Sequence, residues 1–151
     1  VADWQVALAK FLGAWLSYCT LWALTAAFFL LLRVYTALDW GPIASGYLGT
    51  WLLGAVLIAV GVWTSSLTRN QVIAAAAGFV IMLLLFSVGL LDVFVTDPES
   101  RKLVAYLSLL EHFQNFSKGI LDSRPVVFYL SLTALALFLT VRTVGSPRWR
   151  A

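Results

Sequence analysis

FLGAWLSYCTLWALTAAFFLLL, residues 11–32, runs for twenty-two residues without a charged side chain, between Lys10 and Arg33. At a helical rise of about 1.5 Å per residue, a run of this length crosses the hydrocarbon of a bilayer. Residues 45–67 and 71–91 repeat the pattern, and a shorter apolar run occupies 126–141. The alternative spanning structure, a closed barrel, requires period-two alternation. AAAAGFVIMLLLF, residues 74–86, has none. The chain is therefore expected to be all-α, a polytopic membrane protein with spans at 11–33, 45–67, 71–91 and 125–142.

Composition agrees. Hydrophobic residues make up 62% and charged residues 11% of the 151, with a mean hydropathy of +0.92, against roughly 25% charged residues in a soluble domain. The net charge of +3 would suggest nucleic acid in a soluble protein. Here the basic residues stand singly around apolar runs, which suits interface anchors, so no nucleic-acid partner is expected. Cys19 is the single cysteine and lies inside the first span, so no intrachain disulfide or multi-cysteine metal site is available. Val1 is not an initiator Met, and the residues after it form neither a basic leader nor a cleavage site. The sequence is expected to be a piece of a longer chain.

Polar segments set the topology. Residues 3–9 read as the end of an interfacial helix, with Trp4 at headgroup level. Asp39, Gly41 and Pro42 mark a turn at 36–42, after which a helix is expected from near Ser45. Only Thr68, Arg69 and Asn70 separate the second and third spans, which forces an antiparallel hairpin. Alternation places Lys10, Arg69, Arg142, Arg148 and Arg150 on one side, read as cytoplasmic. Arg33, Arg101, Lys102, Lys118 and Arg124 lie on the other, in the company of Asp39, Asp92, Asp97, Glu99, Glu111 and Asp122. The basic tail at 143–151, following Arg142, is the strongest single argument for this orientation.

The loop at 92–124 is the most organised polar region. Thr96-Asp97-Pro98-Glu99 has capping-box spacing. Leu103, Tyr106, Leu107, Leu110 and Phe113 then recur with helical periodicity. Ser108-Leu109-Leu110-Glu111 offers a second box, so a break into two short helices is expected near Ser108, with Gly119 as the C-terminal stop. Such a pair is interfacial or re-entrant; in the second case its irregular backbone must be shielded by protein or face water.

Small residues recur at packing distance in Ala55 and Ala59, Gly54 and Gly61, and Ala74 and Gly78. The plain reading is intramolecular packing. Glu111 and His112, beside Phe113 and Phe116, could form a proton-responsive gate; the plainer reading is a surface helix with a solvated imidazole. No span carries an Asp, Glu, Lys, Arg or His near its centre, which argues against a proton-coupled carrier or ion pump. Neither a P-loop nor a G-x-S-x-G or H-E-x-x-H signature is present. No catalytic residue and no metal ligand is assigned.

Several motifs in order carry a family resemblance. They are Asp3-Trp4-Gln5-Val6 leading to Lys10-Phe11-Leu12, Gly41-Pro42-Ile43 with Ser45-Gly46-Tyr47-Leu48-Gly49, and Ser65-Ser66-Leu67-Thr68 with Asn70-Gln71. Leu107-Ser108-Leu109-Leu110-Glu111-His112-Phe113, the segment 116–122, Tyr129-Leu130-Ser131 and Leu139-Thr140-Val141-Arg142 continue them. The chain resembles the permease subunit of ABC-2-type transporters, in particular the gliding-motility-associated group, over nearly its whole length. Ala9 departs from the glycine usual there. The resemblance implies a six-span permease of which these are the last four spans, in the bacterial cytoplasmic membrane. It implies an exporter that binds no cofactor itself and is driven by ATP and Mg in a separate ABC ATPase subunit, paired with a second permease copy or paralogue. Asp3, Trp4, Gln5 and Lys10 would lie on the ATPase-coupling side, at the end of a cytoplasmic coupling helix (residues 1–10). Glu111, His112, Phe113, Phe116 and Gly119 would belong to an extracytoplasmic gate loop. The competing expectation is a non-transporting membrane module that anchors or assembles a surface or motility complex.

Overall fold

The computed structural model describes residues 2–91 and 94–145. Val1, Asp92, Arg148 and Arg150, and with them most of the tail expected at 143–151, lie outside the described residues. Six helices follow one another among the described residues: α1 Asp3–Leu32, α2 Trp40–Leu67, α3 Gln71–Leu90, α4 Pro98–Leu107, α5 Leu109–Ser117 and α6 Ser123–Val144. α1, α2, α3 and α6 are long and apolar enough to cross a membrane. Their outward surfaces suit lipid: Leu21, Leu24, Leu31, Val72 and Leu84 are all more than 60% exposed. In water, so large an apolar surface would drive aggregation.

Short polar side chains start five of the six helices. The carboxylates of Asp39, Asp97 and Asp122 accept from the amides of Gly41 (3.1 Å), Ser100 (3.1 Å) and Arg124 (3.2 Å), heading α2, α4 and α6. Asn70 Oδ1 accepts from the Val72 amide at 2.9 Å at the head of α3. Ser108 Oγ accepts from the Glu111 amide at 3.2 Å at the head of α5. Each satisfies a backbone donor that a helix start leaves without an intrahelical partner.

The helix boundaries refine or correct the sequence reading. The segment at 3–9 runs into α1 without a break, as nothing between Asp3 and Leu32 interrupts helical hydrogen bonding. α2 begins at Trp40 and not near Ser45, since Asp39 caps it and Pro42 falls in the first turn, where a missing N–H breaks no bond. The cap of α4 is Asp97 rather than Thr96. At α5 only half of the expected box forms: Ser108 caps, while its own amide donates to the Ala105 carbonyl.

The packing follows from helix length. α2 has 28 residues and α3 has 20, so with one end of each tied by Thr68–Asn70 the far end of α3 stops about 12 Å short of the start of α2. α4 and α5 fill this step. α5 packs against α2 and α3, and α2 also packs along α6 and α1 as the central helix of the bundle. Burial itself gives little preference in lipid, so close approach and hydrogen bonds decide these contacts. Ala55, Ala59, Ala74 and Gly78 are buried as expected. Gly54 accommodates the Tyr18 ring, whereas Gly61 meets nothing within 4 Å, so these two do not form one interface.

Candidate functional site

The loop residues singled out in sequence converge on α5, which is wedged between the N-terminal halves of α2 and α6. Leu109, His112 and Phe116 form its buried face, spaced three and four residues apart. This differs from the apolar stripe read in the sequence: Leu103, Tyr106 and Leu107 are exposed, and Leu110 is 36% exposed. Hydrophobicity alone misassigns the face, because one of the residues that packs inward is a histidine.

Two contacts fix the wedge to α2. Ser45 Oγ donates to the Phe116 carbonyl at 2.6 Å. One turn along, a Cβ at Gly49 would stand 2.8 Å from Phe116 Cβ, so only glycine admits this ring. Ser45 and Gly49 thus make a small-xxx-small pair that was not among the packing pairs read from the sequence, although its spacing is legible there. On the α6 side, Tyr129 is fully buried and its hydroxyl donates to the Leu109 carbonyl at 2.7 Å. At the back, Gly89 of α3 lies against Ser108.

Gly119 ends the wedge as expected. Its φ of +79° is left-handed. Its amide donates to the Phe116 carbonyl and that of Ile120 to the Asn115 carbonyl, both at 3.1 Å, a Schellman motif. Gly119 then rests on Pro42, whose Cγ would be 3.2 Å from a Cβ there.

His112 is 7% exposed, so the reading of a solvated imidazole is overturned. It stacks on Phe128 with centroids 4.4 Å apart and planes 10° from parallel, and Tyr106 and Tyr129 approach edge-on. Its Nδ1 lies 2.8 Å from the Ser108 carbonyl. A carbonyl can only accept, so Nδ1 carries the proton and Nε2 is the acceptor in the neutral ring. Glu111 is exposed on the same helix.

α5 separates two cavities. One, of about 270 Å³, lies between α4, α5 and the start of α6, and Lys102, Glu111, His112, Asn115, Asp122 and Arg124 are among its lining residues. The other, of about 440 Å³, is a groove between α1, α2 and α5 lined by Trp22, Thr25, Phe29, Tyr47, Thr50 and Phe113 among others. Tyr47 is the hub of this groove. Its ring meets Trp22, Phe29 and Trp51 edge-on at 6.4, 5.9 and 6.2 Å, and its hydroxyl shares a 2.6 Å hydrogen bond with Thr25. This aromatic cluster was not read from the sequence, because its members come from two helices and no short motif joins them.

At the opposite end, Asp3, Trp4, Gln5 and Lys10 occupy the first turns of α1. The Gln5 side chain accepts from the Ala2 amide at 3.1 Å, Asp3 lies beside Gly145 at the end of α6, and Trp4 is 53% exposed. Lys10 borders a cavity of about 450 Å³ with Val6, Ile58, Val62, Ser65 and Val144 among its walls. The two groups of candidate residues therefore stand at opposite ends of the bundle.

A bundle with four membrane-length apolar helices and charged groups gathered at its two ends defines a multi-pass helical membrane protein. The family model described as ABC-2 family transporter protein matches residues 3–147. The chain belongs to this family, the membrane component of ABC transporters. No curated protein and no solved structure matches it.

Proposed function

We propose that this chain is the permease subunit of an ATP-binding-cassette exporter in a bacterial inner membrane. It forms the translocation path together with a second permease copy or paralogue, and it is driven by a separate ATPase subunit that binds ATP and Mg. The observation that carries this reading is the family match over residues 3–147 in a chain whose spans hold no Asp, Glu, Lys, Arg or His near their centres. Coupling to ATP binding elsewhere needs no charge in the spans, because a partner that favours one conformation supplies the differential stabilisation.

In this reading the end of the bundle bearing Asp3, Trp4, Gln5 and Lys10 faces the cytoplasm and the ATPase. The half-exposed Trp4 suits a contact of this kind, since exposed aromatic anchors carry much of the energy of protein interfaces. The α4–α5 wedge, with Glu111, His112, Phe113, Phe116 and Gly119, closes the outer end. The test is affinity purification of the tagged protein from its native membrane in mild detergent. A P-loop ATPase is expected to copurify, with Trp4→Ala reducing its recovery while the permease stays folded. Transport by a complete permease purified without any ATPase would overturn the reading.

A further inference from the structure

The smaller outer cavity carries a chemistry that gating does not require. Lys102 and Arg124 bring two cationic groups to it, and Glu111 and Asp122 bring two carboxylates. Among the described residues, no ion pair joins these four side chains. One oxygen of Asp122 is engaged by the Arg124 amide, which leaves the other available. In the same wall stands the buried His112, whose Nδ1 is committed to Ser108 and whose Nε2 has no partner among the described residues. Asn115 adds an amide.

Unpaired charges of both signs around one space select against most ligands. A lone anion would meet Glu111 and Asp122, a lone cation would meet Lys102 and Arg124, and an apolar guest would desolvate all four without compensation. A molecule carrying both signs satisfies the whole lining. With Nδ1 donating to Ser108, the remaining His112 Nε2 offers an acceptor in the neutral ring beside the Glu111 carboxylate, so an ammonium suits the side occupied by Glu111 and His112, and a carboxylate suits Lys102 and Arg124. The cavity of about 270 Å³ has room for about nine water molecules at about 30 Å³ each, the scale of an amino acid or dipeptide.

We propose that the α4–α5–α6 cavity binds a small zwitterion bearing an ammonium and a carboxylate, of the size of an amino acid or dipeptide. Binding is measured without transport, so this proposal stands or falls separately from the permease reading.

The test is calorimetric titration of the full chain in detergent with glycine and with diglycine, alongside N-acetylglycine, which keeps only the carboxylate, and glycinamide, which keeps only the ammonium. Saturable binding of at least one of the two zwitterions is expected, with both blocked forms weaker by about tenfold or more, as for the loss of one charge-assisted contact. Lys102→Met and Glu111→Gln, both at exposed positions, are each expected to weaken binding by about the same factor. The ¹⁵N resonance of His112 Nε2 should move on saturation. Absence of saturable binding by either zwitterion overturns the proposal, as does equal binding of the blocked forms or wild-type affinity in both variants.

Discussion

At the scale of single residues, the α5 end of the bundle is held by a few positions where a small change has nowhere to go. Gly49 faces the least yielding neighbour in α5, because the atom a new Cβ would strike is Phe116 Cβ, 2.8 Å away and attached to the backbone of the wedge. Gly49→Ala cannot be absorbed by a side-chain rotation and is expected to destabilise by about 1–3 kcal/mol, the usual cost of overpacking. Gly61→Ala, in open space, should be neutral or stabilising by up to about 1 kcal/mol through helix propensity. SDS-unfolding midpoints of the two variants check this, and equal shifts would contradict it. Tyr129→Phe keeps the packing and removes the 2.7 Å bond to Leu109, so a loss of about 0.5–1.5 kcal/mol is expected in the same assay. The sequence displays Gly49 and Gly61 alike as span glycines. What separates them is the identity of the neighbour, a long-range fact that spacing within one helix does not contain.

At the scale of elements, local chemistry was legible and facing was not. Ser108 as a helix start and Gly119 as a helix stop follow from side-chain capping and left-handed backbone, both properties of a few adjacent residues. The buried face of α5 depends on what α2 and α6 offer it, and there a histidine stacked on Phe128 displaces the leucine stripe expected to point inward. α4 illustrates how such a short helix is sustained. It buries none of its residues, so its N-terminal cap matters more than it would in a packed helix. The amide and hydroxyl of Ser100 both donate to Asp97 and hold its carboxyl below the usual range. Because the folded value is depressed, the stabilisation is fully present above the ordinary carboxylate value of about 3.9 and is lost as pH falls through the lower, folded value. In an NMR titration, the Ser100 amide shift should therefore move with a midpoint below about 3.9. A midpoint at or above that value would show that the cap is not formed in solution. Asp97→Asn should keep α4 capped and remove the titration.

At the scale of the whole molecule, the four apolar runs and the short link at Thr68–Asn70 were enough to give the number of membrane-length helices, the hairpin and the opposite placement of Lys10 and Lys118. The centrality of α2, the step left by the shorter α3 and the aromatic hub at Tyr47 were not legible, since each depends on how helices far apart in sequence align. The placement has a direct test in labelling. Lys10, Arg69 and Arg142 mark one end of the bundle, and Arg33, Lys102, Lys118 and Arg124 mark the other. The proposed orientation puts the first end in the cytoplasm, by the preference of short cytoplasmic segments for Lys and Arg. With the single native thiol removed by Cys19→Ala, Lys118→Cys should react with a membrane-impermeant maleimide on intact cells, and Arg69→Cys only after permeabilisation. The reverse pattern would invert the orientation and place Trp4 on the side away from any cytoplasmic ATPase, removing the permease reading with it. Reaction of both positions from the same side would go further. Three helices, α3, α4 and α5, separate Arg69 from Lys118, and of these only α3 is long enough to cross the bilayer. One-sided labelling would therefore mean that α3 does not cross, and the four-span architecture itself would fail.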